Sequence, residues 1–523
     1  MTMRGARPGG TATASPPPAA VPGNDWTLLD ALAASDAEGT SVSVVVEQGE
    51  PEAVALTLAA LAAQRDPGPP IDVIEPGDDR EPAGEVVVFL GAGTAGDPGL
   101  LAAHARWHSA AADAVSVGPV AAVDGGGIDV AEVERAAGDG RLATLLDPRR
   151  AGDRDDPFGL AFDLTAKLTE TADGLFLAAA LTGPLAVRRD TYLAAGGAAP
   201  ADLPAALRRL DLAYRLACSG AVFAPEASVP AWTVGGREQA VLARAIAAAA
   251  AERRTLELDH PEAAALVPLE PFRAAASARR LRRPAVVVNV DAGGEPASEV
   301  AATIAPVLGG RHGDLELRIQ VADSHPERDE IAGLVAGDPR ATIAPASTEG
   351  PCQSPYQVVL PAVALPDPRT IADLHRLLTT ERAGALHVTV PGAPPDETMI
   401  EAHSTAALLR ARRVAAASGE DVDETVGRLF GERWVSGIEV SVRRHGVEEP
   451  HVTEHGPLAA ATDPEHERTQ HLRFRDRADD LEARAVEQER MIVAERLRAR
   501  RERLRAERLE RALRDIGEAR PRG

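Results

Sequence analysis

Short β-branched runs alternate with stretches of helical spacing along the first part of the chain. Residues 41–46 (SVSVVV) are an apolar run bounded by polar positions, the pattern of a buried strand. The chain passes through Gly49-Glu50-Pro51 into residues 53–64, whose apolar positions recur as on one face of a helix. Residues 71–74 and 85–90 (EVVVFL) predict two further strands, and a helix is expected from residue 98 to about residue 112. Strands alternating with helices of this length predict an α/β architecture with a parallel sheet covered on both faces.

The pattern restarts near Pro284. Residues 285–290 (AVVVNV) predict a strand, Gly294-Glu295-Pro296 repeats the earlier turn, and residues 315–321 and 358–360 predict further strands. The best internal match pairs FLGAGTAGDP at 89–98 with VLPAVALPDP at 359–368. Both segments end a strand at Leu and reach Asp-Pro at the same offset, with Asp expected as helix N-cap and Pro at the first helical position. This coincidence points to an internal repeat. From about residue 465 to 513 a long charged helix is expected, with Leu481, Ala485, Ile492, Leu497, Leu504 and Leu513 as a thin apolar stripe. The stripe is irregular, so a solvated helix held by charge pairs and a coiled coil that dimerises or docks a partner both fit.

Composition narrows the partners. With 56 basic and 79 acidic side chains the net charge is −23, so the body of the protein repels nucleic-acid phosphates and anionic lipid. Cys218 and Cys352 lack metal-ligand spacing and read as reduced thiols of a cytoplasmic protein. Residues 1–38 lack a signal-peptide apolar stretch, and their opening, rich in Pro, Ala, Gly and Thr, reads as a disordered tail. Nowhere does the apolar length of a membrane span occur, and the alanine-rich residues 240–251 are interrupted by Arg244.

Four blocks in order across residues 41–232 resemble the family 2 glycosyltransferases of the GT-A fold: SVSVVVEQGEPEAVALTLAALAAQ, VVVFLGAGTAGDPGLLAAHARWH, TGPLAVRRDTYLAAGG and RRLDLAYRLACSGAVFAPEA. The second half resembles the same fold more faintly, through QSPY and the Asp-Pro segment. The resemblance implies two tandem GT-A-like, Rossmann-like domains and a cleft for a nucleotide-sugar. It also implies a carboxylate-held divalent cation on the pyrophosphate and a carboxylate that deprotonates the acceptor.

This chain departs from that pattern at each place. Gly91-Ala92-Gly93 stands where the family carries its metal-binding acidic triplet, and Pro361-Ala362-Val363 stands there in the second half. The family's Glu-Asp pair falls on Arg208-Arg209, leaving Asp211 as the surviving acid, and the nucleotide-contacting acids fall near Glu75. The histidine after the last strand falls on Ala231. No metal and no other cofactor is therefore expected, and no catalytic residue is assigned. Gly91, Gly93, Glu75, Arg188 and Arg189 become candidates for lining the cleft, with the two glycines leaving space for a nucleotide. Two readings follow. One is a pseudoenzyme that scaffolds cell-envelope glycan assembly by pairing with an active glycosyltransferase or with itself. The other is a metal-independent transferase in which Arg208, Arg209, Arg188 or Arg189 offset the pyrophosphate charge and Asp211, Asp78 or Asp79 serves as base.

Other signals are weaker. His104 and His108, four apart on a helix, could hold zinc, but no third ligand is near and a helix surface over Trp107 is the plainer expectation. Asp124-Gly125-Gly126-Gly127 reads as a turn, Ser354 and Ser404 lack a nucleophile elbow, and Trp434 is expected in a core or domain interface. The expected organisation is a tail at 1–38, a first domain at 39–236, a helical connector at 237–282, a second domain at 283–462 and a charged helix at 463–523.

Overall fold

The computed structural model describes residues 16–30, 33, 40–64, 71–124, 126–150, 183–199, 203, 205–234, 283–345, 354–389, 400–437 and 439–444. The chain divides into two compact units, 1–447 and 448–523, and the described residues all belong to the first. The connector expected at 237–282, the charged helix expected at 463–523 and Cys352 lie outside the described residues.

The β-branched runs become β1 (Val42–Val46), β2 (Asp72–Ile74) and β3 (Val86–Leu90), which pair in parallel. All five residues of β3 are buried, as a central strand covered on both faces requires. The chain continues through β4 (Thr94–Gly96), β5 (Ala114–Val117), β6 (Ala121–Ala122), β7 (Leu185–Arg188), β8 (Val222–Pro225) and β9 (Ala231–Thr233). The first sheet runs β2-β1-β3-β7-β5-β8, and β7 is antiparallel to both neighbours. The sheet is therefore mixed rather than purely parallel, because periodicity carries no information on strand direction.

The second sheet is built from β10 (Val286–Asp291), β11 (Leu315–Gln320), β12 (Ala341–Ala344), β13 (Tyr356–Pro361), β15 (Ala385–Thr389), β16 (Ile400–Ser404) and β17 (Glu432–Ser436). Its order is β12-β11-β10-β13-β16-β15-β17, with β16 antiparallel to both neighbours. Without the edge strand β12, strand order and polarity match those of the first sheet. A small sheet accompanies each, three-stranded β4-β9-β6 in one and the antiparallel pair β14 (Ala364–Pro366) with β18 (Val442–Arg444) in the other. The helices Pro51–Leu61 and Ala297–Leu308 each use a threonine to hold the loop after the central strand. Thr57 Oγ1 accepts from Gly93 N at 3.0 Å, and Thr303 Oγ1 donates to Ala362 O at 2.6 Å. Asp97-Pro98 and Asp367-Pro368 form the turn ahead of a helix rather than its cap. The cap positions are Gly99 and Arg369, and Asp97 O and Asp367 O each accept from a backbone N–H three residues on at 2.9 Å.

Two expectations fail in instructive ways. Residues 16–30 are packed rather than disordered: Ala19, Val21 and Leu29 are buried beside Trp107 and Val222, and Ala19 N donates to Asp113 Oδ1 at 2.6 Å. The second sheet has one face only half covered, since β11 alternates strictly between buried and half-buried residues.

His104 and His108, on the helix Leu100–Ala110, are fully buried instead of surface residues. The segment is apolar enough around Trp107 that the whole helix sinks between the sheet and residues 16–30. His104 Nδ1 lies 2.8 Å from Ser116 Oγ, whereas neither ring nitrogen of His108 has a partner. Burial pushes His104 down to about 4 and His108 down to about 3. Both are thus neutral when folded, and the unfolded chain binds more protons below the ordinary value of 6.5. Their contribution is intact above pH 6.5 and is lost as pH falls toward 4 and then 3. His108→Leu is expected to raise stability at pH 7 by up to about 1 kcal/mol, because it removes two unpaired polar atoms from the core. It is also expected to flatten the decline of the urea midpoint between pH 7 and pH 5, which urea titrations at the two values would check.

Arg410 joins the two halves of this unit. Buried on the helix Thr405–Ser418, its guanidinium donates to Gly220 O at 2.6 Å, Ala221 O at 3.1 Å and Val21 O at 3.4 Å, and also to Gly23 O. It lies 5.0 Å over the Phe430 ring, and burial lowers it to about 10, so it stays charged at neutral pH.

Candidate functional site

Ligand clefts of open α/β sheets form where parallel strands end in loops. In the first sheet those loops carry Glu47 and Gln48 after β1, Glu75 after β2, Gly91-Ala92-Gly93 after β3 and Gly118 after β5. Gly183 enters the same end, because β7 is antiparallel and Leu185 pairs with Phe89 near the end of β3.

The helix Ala205–Cys218 brings its first turns over these loops. Arg209, 5% exposed, donates from Nε to Glu47 Oε1 at 2.7 Å and from Nη1 to Gly183 O at 3.0 Å. Its guanidinium stands 5.9 Å from the Phe89 ring centroid. Arg208 is half-buried and donates to the neutral amide of Gln48 at 2.7 Å. A cation, Arg209, thus stands at the carboxyl ends of β1 and β3, and Glu47 compensates its charge.

The other members fall in different places. A Cβ at Gly91 would stand 3.8 Å from Glu47 Oε2, so this position is open and faces the ion pair. Gly93 does not leave space: its φ is +86°, and a Cβ there would lie 2.1 Å from Val234 O. Its N donates to Ala53 O at 2.9 Å, its O accepts from Val234 N at 2.9 Å, and Ala92 packs on Gly49. Glu75 is exposed beyond β2. Asp78 is held below the usual carboxylate range by the Arg80 backbone N–H and then by its side chain, which suits an exposed ion pair and not a base.

Arg188 and Arg189 lie at the opposite end of the sheet. Arg188 pairs in register with Val86, the first residue of β3, and Arg189 is engaged by Pro82 O and the Glu81 carboxylate. Neither can offset a charge at the carboxyl ends. Asp211 is buried within an ion triad, with Arg215 Nε at 2.8 Å and Arg283 Nη2 at 2.6 Å. Arg215 also donates to Ala195 O at 2.5 Å and Gly197 O at 2.8 Å, so Asp211 organises packing and has no path to an acceptor.

The donor set does not suit a divalent cation. Gly91-Ala92-Gly93 offers no carboxylate, Glu47 is taken by Arg209, and among the described residues no group of three His, Cys, Asp or Glu side chains is placed to hold a metal ion. Glu47 and Phe89 escaped sequence reasoning. Glu47 was legible as the first acid after β1, but its partner is 162 positions away.

No protein-family model matches the chain, and no curated protein matches it. Among solved structures, the mannosyltransferase PcManGT from Pyrobaculum calidifontis, in complex with GDP-Man and Mn2+, is 14% identical over 30% of this chain and 56% of that one, with a TM-score of 0.24. S. aureus TarS 1-349 in complex with UDP-GlcNAc is 7% identical over 29% of this chain and 58% of that one, with a TM-score of 0.22. Glucosyl-3-phosphoglycerate synthase from Mycobacterium tuberculosis, with Mn2+, UDP and glucosyl-3-phosphoglycerate, is 13% identical over 32% of this chain and 73% of that one, with a TM-score of 0.23. The match thus spans little more than half the length of the first of these proteins. Among the described residues no helix is long and apolar enough to cross a membrane.

Proposed function

We propose that this chain is a family 2 glycosyltransferase-like pseudoenzyme: two GT-A-like domains in tandem, with the catalytic apparatus of the first replaced by structural contacts. In this reading it serves as a scaffold or partner in cell-envelope glycan assembly, with the charged segment 463–523 as the expected contact for an active glycosyltransferase or a second copy. The observation that carries the reading is the Glu47–Arg209 pair, which fills the position where the family's chemistry needs a free carboxylate and a cation. The shared strand order of the two sheets supports the tandem arrangement.

One observation favours the second reading, a metal-independent transferase. Arg208 is half-buried at the same end of the sheet and is bonded to a neutral amide, so a diphosphate there would meet a cation. Calorimetry with UDP, GDP and their sugar conjugates separates the two. The pseudoenzyme releases no nucleotide from UDP-glucose or GDP-mannose, and any binding is equal for wild type and Arg208→Ala. Metal-free binding that Arg208→Ala weakens tenfold or more, about 1.4 kcal/mol, would revive the transferase.

A further inference from the structure

The half-open face of the second sheet carries an ordered row of side chains. Register places Val359 on β13 opposite Glu401 on β16, Glu401 opposite His387 on β15, and His387 opposite Trp434 on the edge strand β17. The next row on this face holds Gln357, His403, Ala385 and Glu432. Because side chains alternate across a sheet, these eight residues share one surface.

Trp434, expected in a core or domain interface, is 54% exposed. Its ring is held in place by the buried His387, with centroids 4.9 Å apart and planes at 27°. On the same face the carboxylates of Glu432, two residues before Trp434 on β17, and Glu401, across His387 on β16, are 45% and 42% exposed. Glu401 Oε2 is hydrogen-bonded to His403 Nε2 at 3.5 Å, and Glu432 Oε2 lies 3.5 Å from His387 Nε2. Hydrogen bonding from His403 holds the Glu401 carboxyl below the usual range, so it is an acceptor at neutral pH. Arg433, the neighbouring cation, belongs to the other face and is engaged by Glu381 and Glu439. Helix packing from Leu408, Ala411 and Val426 covers Ala385 and leaves the Trp434 end open.

We propose that this row is a binding platform for a neutral oligosaccharide, with the Trp434 indole under the C–H face of a sugar ring and Glu401 and Glu432 accepting hydrogen bonds from its hydroxyls. An exposed indole with a fixed plane provides apolar contact at little ordering cost, and fixed acceptors beside it supply orientation. The surrounding charge selects the ligand class. Two carboxylates repel phosphates, sulfates and nucleic acid. Charged groups at the centre of the patch also disfavour a protein interface, whose buried core is depleted of them. A polyhydroxyl ligand with one apolar face meets both conditions. The site is separate from the first-sheet cleft, so its failure would leave the pseudoenzyme reading standing.

Intrinsic fluorescence tests this directly, because Trp107 and Trp232 are buried and Trp26 is partly buried. The full chain would be titrated with maltohexaose, cellohexaose and chitohexaose, following the emission of the exposed indole. At least one saccharide is expected to give a saturable shift with a dissociation constant of about 1 mM or tighter. Trp434→Tyr is expected to keep that affinity within a few fold, as read by ligand-observed NMR. Trp434→Ala is expected to weaken it about tenfold or more, and Glu401→Gln severalfold. Circular dichroism would establish that each variant is folded. No saturable response to any of the three saccharides overturns the proposal, as does undiminished binding in both Trp434→Ala and Glu401→Gln.

Discussion

Replacing Asp211 by asparagine is expected to lower the stability of this protein by about 3–5 kcal/mol, although the change is nearly isosteric. Asp211 and its partners Arg215 and Arg283 are all nearly fully buried, with side-chain exposures of 1%, 4% and 6%. Removing the anion leaves two guanidinium groups beside one another in a site without solvent, where charge cannot be shed because arginine stays protonated. Arg283 also lies 5.4 Å over the Tyr214 ring, so the repulsion falls on the helix that carries Arg208 and Arg209. Urea unfolding of Asp211→Asn measures the loss. A change under about 0.5 kcal/mol, typical of an exposed side chain, would mean that Asp211 is free for other work and would reopen its role as a base.

The second large effect is expected at Arg410. Arg410→Met keeps most of the side-chain volume but removes every donor, leaving the carbonyls of Val21, Gly23, Gly220 and Ala221 without this partner in a buried site. Each unpaired buried carbonyl costs about 1–3 kcal/mol, and partial relaxation brings the expected total to about 3–5 kcal/mol. Arg410→Lys should recover only a minor part, since an ammonium cannot span the same fork of acceptors. Urea midpoints of the three proteins give the comparison, and a loss below about 1 kcal/mol for Arg410→Met would show that water replaces the guanidinium readily.

Much of the strand framework was legible because its cause is local. Runs such as VVVFL can bury both faces only inside a sheet, and the repeated Gly-Glu-Pro turn and Asp-Pro segment mark equivalent corners of the two sheets. Direction was not legible: Leu185–Arg188 reads as a strand either way, and only the register shows that Arg188 faces away from the cleft. Histidine in a helical pattern is equally ambiguous, so the burial of His104 and His108 emerged only with the packing of their helix against the sheet, at Ser116 and Arg188. The candidate site was legible only as departures from the pattern the sequence resembles, since Gly91-Ala92-Gly93 and Arg208-Arg209 are visible in one dimension. What replaced them was not. Arg209 meets Glu47, Arg283 meets Asp211 and Arg410 meets Gly220 across gaps that no local pattern encodes. Trp434 failed in the opposite sense, because residue type suggested burial and the edge-strand position decided otherwise.

In the proposed pseudoenzyme reading the first-sheet cleft does not support metal-assisted handling of a nucleotide-sugar, and the Arg209–Glu47 ion pair is the contact that supports this. Calorimetric titration of UDP-glucose and GDP-mannose into the full chain, with and without manganese, tests it most directly. Any affinity is expected to be the same in both conditions, within about twofold, which is less than about 0.5 kcal/mol. A manganese-dependent tightening of about tenfold or more that Glu47→Gln abolishes would contradict it, and would place a working metal site where the structure shows an ion pair.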